Sequence, residues 1–107
     1  MQEIREKIII IGSGEHANVV LYNLKSQNKY EALGYFDSDI NKVGGIFHGL
    51  KVLECYESQD LTSLMEKYNT NKFIIGFGDM RYRKFIYERF TASGWDAVTI
   101  IHPSAVV

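Results

Sequence analysis

Residues 7–21 read KIIIIGSGEHANVVL, and this stretch decides the fold class. The four consecutive isoleucines, Ile8–Ile11, predict a strand buried on both faces, as in a parallel sheet. Gly12-x-Gly14-x-x-Ala17 follows at once and matches the strand–turn–helix fingerprint of dinucleotide sites. Gly12 allows the tight turn, and Gly14 lacks a Cβ, so a ligand phosphate can approach the backbone. The first N–H groups of the helix then point at that anion. The alternative is a turn that binds nothing.

Composition limits the classes of protein that fit. The chain has 107 residues, of which 46% are hydrophobic, so we expect one globular domain. The net charge is -1 and no basic block occurs, so we expect neither nucleic acid nor a membrane surface as partner. The single cysteine, Cys55, excludes an internal disulfide. No signal-peptide pattern or long apolar run is present, so we expect a cytoplasmic location.

Apolar spacing predicts alternating strands and helices along the rest of the chain. After the first strand, near 7–11, the expected elements are a helix over Glu15–Gln27, a strand over Glu31–Phe36, a loop over 37–50, an extended segment over 51–53, a helix over Ser58–Tyr68, a strand over Lys72–Ile75, a helix over Met80–Ala92 and a strand over Val98–Ile101. This alternation predicts an α/β fold: a small Rossmann-like three-layer domain with a parallel sheet. The size fits about one mononucleotide-binding half of a doubly wound fold.

The candidate ligand-binding residues follow three predicted strands. Gly76-Phe77-Gly78 is a second glycine-rich strand-to-helix turn, and Asp37 ends another strand. Open α/β sheets bind ligands at the carboxyl ends of their strands. Asp37 lies near the position of a ribose-binding acid, although Asp is also a common turn residue. The predicted ligand-binding residues are Gly12, Ser13, Gly14, His16, Asp37, Gly76, Gly78 and Arg83.

His16 and Arg83 each have a second interpretation as solvent-facing helix residues. In the first interpretation, His16 contacts a phosphate or sugar hydroxyl and Arg83 pairs with a phosphate. No catalytic residue is predicted, because the chain has neither a Gly-x-Ser-x-Gly elbow nor a Gly-Lys-Ser/Thr phosphate loop. No metal is predicted, since His48 has no ligands at suitable spacing. Trp95 is expected to pack in the core.

An ordered set of segments carries a family resemblance. These are IIIIGSGEHANVV at 8–20, GYFDSD at 34–39, GLKVL at 49–53, IGFGD at 75–79 with Arg83, Lys84 and Tyr87, and IIHPSAVV at 100–107. Together they resemble the N-terminal domain of the bacterial sialic acid O-acetyltransferase family, which includes nucleotide-sugar N-acetyltransferases.

The resemblance implies a nucleotide-sugar-binding domain at 1–101. It implies that residues 102–107 begin the linker to a left-handed β-helix of hexapeptide repeats, which forms a homotrimer, binds acetyl-CoA and carries the catalytic histidine. This chain stops where that β-helix would begin, so we expect a truncated or naturally short family member. The domain itself is expected to bind no cofactor. The resemblance implies that Gly12, Gly14 and His16 contact the phosphate and the sugar. It implies that Asp37 contacts the base or the ribose. Gly78 and Arg83 correspond to the family's second turn.

One departure from the family pattern is Glu15, where the family usually has Gly. A carboxylate beside a pyrophosphate repels it by an amount that depends on exposure.

Three functions therefore stay open. The first is the nucleotide-sugar-binding domain of a sugar O- or N-acetyltransferase of surface glycan or sialic acid biosynthesis. The second is an NAD-binding domain of an oxidoreductase or redox sensor, and the third is an interaction module without a ligand. We expect a uridine or cytidine diphospho-sugar to bind more tightly than NAD, and the 107 residues alone to transfer no acetyl group.

Overall fold

The computed structural model describes residues 5–99, which form a single sheet with helices on both faces. Two short 3-10 turns lie at Ile40–Lys42 and Tyr56–Ser58. The helices and strands are β1 (Glu6–Ile11), α1 (Glu15–Gln27), β2 (Tyr30–Asp37), β3 (Ile46–Phe47), β4 (Leu50–Cys55), α2 (Leu61–Tyr68), β5 (Lys72–Ile75), α3 (Met80–Ala92) and β6 (Asp96–Ala97).

β1 lies at the centre of a sheet with the strand order β3–β4–β2–β1–β5–β6. It pairs in parallel with β2 on one side and with β5 on the other. Ile8, Ile9, Ile10 and Ile11 are fully buried. The predicted strand, buried on both faces in a parallel sheet, is therefore confirmed, and its neighbours bring their carboxyl ends to the same edge of the sheet.

The two faces of the sheet carry separate cores. Ile8 and Ile10 pack with Ala17, Leu21 and Leu24 of α1. Ile9 and Ile11 face the other core, which includes residues of α2, of α3 and of the chain after α3: Leu61, Leu64, Ile86, Phe90 and Trp95. The three-layer α/β arrangement is confirmed, and so is the packing role of Trp95.

The expected bounds of α1, β5 and α3 are confirmed. The second helix was predicted to begin at Ser58 but begins at Leu61, because a 3-10 turn occupies 56–58 and Asp60 caps the helix by accepting the Thr62 N–H. The extended segment at 51–53 is longer than predicted and forms β4.

Both edges of the sheet differ from the prediction. β3 lies inside the expected loop and pairs antiparallel with β4. His48 and Gly49 connect the two strands and both have positive φ, as a two-residue hairpin turn requires. The last strand was predicted at 98–101, but β6 covers Asp96–Ala97, and residues 98 and 99 are not in a strand. Residues 100 and 101 lie outside the described part of the chain.

Glu54 on β4 is a buried carboxylate with two side-chain partners. It accepts hydrogen bonds from Lys67 Nζ at 2.6 Å and from the Tyr68 hydroxyl. Burial alone would raise the pKa of Glu54, but the hydrogen bonds from Lys67 and Tyr68, with the Lys67 charge, outweigh burial and lower it. A lowered pKa means that this carboxylate stabilises the fold above the ordinary glutamate pKa. That stabilisation is lost as the pH falls through the folded-state value.

Replacing Glu54 with glutamine is expected to lower the free energy of unfolding at pH 7 by about 1–3 kcal/mol, because a charge-assisted bond in a buried site is weakened. The difference from wild type should shrink as the pH falls through the acid range. Urea unfolding followed by circular dichroism at several pH values measures both effects. Glu57→Gln is the control, since Glu57 forms an exposed ion pair with Arg89 and its loss should cost under about 1 kcal/mol. A pH-independent cost of Glu54→Gln would contradict this account.

Candidate functional site

The two glycine-rich turns lie side by side at the carboxyl ends of β1 and β5. The chain leaves β1 towards β2 on one side, whereas β5 lies on the other, so this is the point where the strand order reverses. The Gly12 N–H donates to Phe36 O at 2.7 Å, and the Gly76 N–H donates to Ile11 O at 2.8 Å. The first turn is thereby fixed to β2, and the second turn is fixed to β1.

Gly12 and Gly76 are needed for the close packing of these turns. Gly12 has φ +99°, and a Cβ there would lie 2.8 Å from Phe77 Cδ1. A Cβ on Gly76 would lie 2.8 Å from Ile10 Cγ2 and 3.2 Å from the Gly12 carbonyl oxygen. These two glycines therefore have a structural reason to be there, whatever binds nearby.

Gly14 and Gly78 are different, because both are exposed and face open space. A Cβ on Gly14 would meet no protein atom within 4 Å, and one on Gly78 would meet only His16 Nδ1, at 4.0 Å. Gly14 is the N-cap of α1 and offers no side-chain hydrogen bond to it. By contrast, α3 is capped by Asp79, which accepts the Tyr82 N–H at 2.9 Å. The start of α1 thus presents backbone N–H groups to an anion without a competing cap.

Ser13 and Asp37 bind each other rather than projecting into open space. Asp37 Oδ2 accepts the Ser13 N–H at 3.1 Å and the Ser13 Oγ–H at 2.6 Å. Asp37 Oδ1 accepts the Asp39 N–H at 3.0 Å. Ser13 is 2% exposed and Asp37 is 7% exposed. Both residues therefore shape the turn, and their contacts with a ligand stay a prediction.

His16 and Arg83 line one cleft of about 230 Å³ next to the turns. His16 comes from the first turn of α1 and Arg83 from α3, and both are exposed. The cleft is completed by residues of α1, β5, α3 and the chain after α3: Val20, Asn23, Phe73, Ile74, Ile75, Tyr87, Ala97, Val98 and Thr99. An imidazole and a guanidinium that line one cleft suit an anionic, hydroxyl-rich ligand.

The structure brings most of the predicted site residues together. The turns at 12–14 and 76–78, His16 and Arg83 share one region, whereas Asp37 lies on the β2 side of the first turn. Asn23, which also lines the cleft, was not among the predicted site residues. Its spacing of seven residues from His16, about two helical turns, was the available signal. Among the described residues, no group of three or more His, Cys, Asp or Glu is placed to hold a metal.

Glu15 occupies the first helical position after Gly14 and is exposed. A carboxylate there interacts favourably with the positive end of the helix and therefore competes with a bound anion. Since the side chain is in water, solvent and salt screen its repulsion of a phosphate.

Residues 7–90 show the family to which the chain belongs. The profile of the PglD N-terminal domain matches residues 7–90. The chain belongs to the PglD N-terminal domain family. The matched residues include both glycine turns, Asp37, His16 and Arg83. All of the predicted site residues therefore lie within the part of the chain that matches the family.

Solved structures share the fold of this PglD N-terminal domain. PerB from Caulobacter crescentus, in complex with CoA and GDP-perosamine, is 23% identical with a TM-score of 0.74, and the match covers 92% of this chain and 43% of PerB. The acetyltransferase domain of PglB from Neisseria gonorrhoeae, in complex with acetyl coenzyme A, is 24% identical with a TM-score of 0.67, covering 94% and 45%. RSP, a Rex-family repressor in complex with β-NADH, is 14% identical with a TM-score of 0.65, covering 96% and 52%.

These similarities concern a part of each relative. The chain spans under half the length of PerB and of the PglB domain. No curated protein sequence matches the chain. In residues 5–99, none of the helices combines the length and apolar character that crossing a membrane requires.

Alanine at Gly12 should destabilise the fold more than alanine at Gly14. Gly12→Ala is expected to lower the free energy of unfolding by at least about 1–3 kcal/mol, because φ is positive and Phe77 must move. Gly14→Ala should cost under about 1 kcal/mol, because its backbone is extended and the site is open. Urea unfolding of the two variants tests this contrast. Equal destabilisation would contradict the packing described for the two turns.

Proposed function

We propose that this domain binds the nucleotide-sugar acceptor of an acetyl-CoA-dependent sugar O- or N-acetyltransferase of surface glycan or sialic acid biosynthesis. The ligand phosphates lie against the turn at 12–14 and the start of α1. The sugar extends along the cleft between His16 and Arg83. The observation that carries the proposal is the family match across 7–90, which includes two adjacent glycine turns whose outer glycines, Gly14 and Gly78, face open space.

The chemistry of the site supports a nucleotide sugar over NAD. The size of the sheet does not separate the two ligands: about one mononucleotide-binding half was predicted, but parallel strands lie on both sides of the point where the strand order reverses. Asp37, the acid expected to hold the NAD ribose, has both oxygens bonded within the protein. The relatives PerB and PglB are described with CoA or acetyl coenzyme A, and PerB also with GDP-perosamine.

The same proposal includes acetyl transfer by the complete protein. In this proposal, a second, β-helical domain binds acetyl-CoA, the protein is a homotrimer, and its location is cytoplasmic. A general base must come within about 3 Å of the proton that it removes. His16 lies in the first turn of α1, beside the N–H groups proposed to hold the phosphate, so it is better placed to bind the ligand than to remove a proton from it. We therefore expect residues 1–107 to bind the acceptor without acetylating it, and an acetyl-CoA consumption assay with amino-sugar nucleotides checks this.

Calorimetric titration with UDP-, CDP- and GDP-sugars and with NAD tests the binding function. At least one nucleotide sugar should bind more tightly than NAD. Gly14→Ala should weaken that binding by about tenfold or more, since a methyl group then occupies the space of the phosphate while the fold is retained. Binding of NAD without any nucleotide sugar would favour the oxidoreductase or sensor function. Binding of neither would favour an interaction module.

Arg83→Ala should weaken nucleotide-sugar binding by about tenfold to a hundredfold, the effect of losing a charge-assisted contact with a phosphate. Lys84→Ala is the matched control: it removes the same charge from the next residue of α3, which does not line the cleft. Similar losses in both variants would indicate general attraction of an anion rather than a contact by Arg83. The titrations are made at several salt concentrations, because screening reduces general attraction first.

A further inference from the structure

The carboxylate of Asp37 is committed to groups of its own protein, and Lys42 Nζ lies 4.0 Å from its Oδ2. One oxygen accepts both the N–H and the hydroxyl of Ser13, and the other accepts the Asp39 N–H. The side chain is almost fully buried. An acid that recognises a ribose must offer an oxygen to the ligand hydroxyls within hydrogen-bond distance. The surroundings of Asp37 instead orient its oxygens towards the turn and the following loop.

The residues that Asp37 holds are next to the open glycine. Phe36 O accepts the Gly12 N–H, and Asp37 then accepts the Ser13 N–H, so two successive residues of β2 fix two successive residues of the turn. Gly14 follows directly and begins α1 without a side-chain cap. The direction of the N–H groups at the start of α1 therefore depends on the conformation of Ser13.

We infer that Asp37 is a positioning residue for nucleotide-sugar binding. It fixes Ser13 and thereby orients the N–H groups that receive the ligand phosphate, and it does not bind the ribose or the base. This inference rests on the proposed function. It assigns the acid at the end of β2 a different task from that of the ribose-binding acid in dinucleotide sites.

Asp37→Ala is the informative variant because it removes both acceptor oxygens. Asp37→Asn is less informative, since an amide keeps one acceptor oxygen and that oxygen can still accept from Ser13. Asp39→Asn is the matched control. It removes the same charge two residues away, and its one oxygen can still accept the Asn41 N–H that Asp39 accepts at 2.9 Å.

Binding of a UDP-sugar and of its 2′,3′-dideoxyribose analogue distinguishes positioning from contact. We expect Asp37→Ala to weaken the binding of both ligands by the same factor, about tenfold or more, which corresponds to at least one lost charge-assisted hydrogen bond. Asp39→Asn should leave both affinities unchanged. A loss confined to the ribose-containing ligand would overturn the inference in favour of direct contact. If the variant is folded, less stable and binds both ligands with unchanged affinity, Asp37 has a purely structural role. That result would also overturn the inference.

Hydrogen exchange of the ligand-free protein gives a second, independent readout. In Asp37→Ala the Ser13 amide should exchange faster, while the Ile10 amide in the central strand stays protected. Unchanged exchange at Ser13 would overturn the inference. The two failures remain distinguishable: wild-type protein that binds no nucleotide sugar refutes the proposed function, whereas exchange at Ser13 still decides whether Asp37 holds the turn.

Discussion

The architecture depends on the burial of residues 8–11 of β1 on both faces of the sheet. Four successive isoleucines supply apolar side chains to both sides of one strand, so neither face can be left to water. Each face then requires its own layer of helix, and both lateral edges are filled by parallel neighbours. Parallel pairing in turn places the ends of β1, β2 and β5 at one edge of the sheet. The location of the candidate site follows from this one strand.

Within the site, the residues that shape the turn are distinct from those that are open to a ligand. Gly12 and Gly76 allow the turns to pack, and Ser13 and Asp37 fix the conformation of the first one. Gly14, Gly78, His16 and Arg83 are exposed around the resulting space. The residues that shape the turns are thus largely covered, whereas the accessible ones are two glycines and two helix side chains.

The fold was largely predictable because its signals are local. Apolar runs marked β1 and β5, and helical spacing with clear end signals marked α1 and α3. β3 was not predictable, since a two-residue strand has no period and depends on the His48–Gly49 turn and on pairing with β4. The site positions at the two turns were predictable for the same reason as the strands. The bond between Ser13 and Asp37 was not, because residues 24 positions apart meet only when β1 and β2 pair.

Trp95 provides an intrinsic optical probe that the fold places away from the cleft. It is the single tryptophan of the chain, and its ring packs edge-on against Phe36, Phe73 and Phe90. Its indole N–H donates to Leu61 O at 2.9 Å, so α2 must be docked for this environment to exist. Unfolding transfers the indole from an apolar core to water and changes its emission. Because Trp95 is not among the residues that line the cleft, its fluorescence reports on the integrity of the core separately from occupancy of the site.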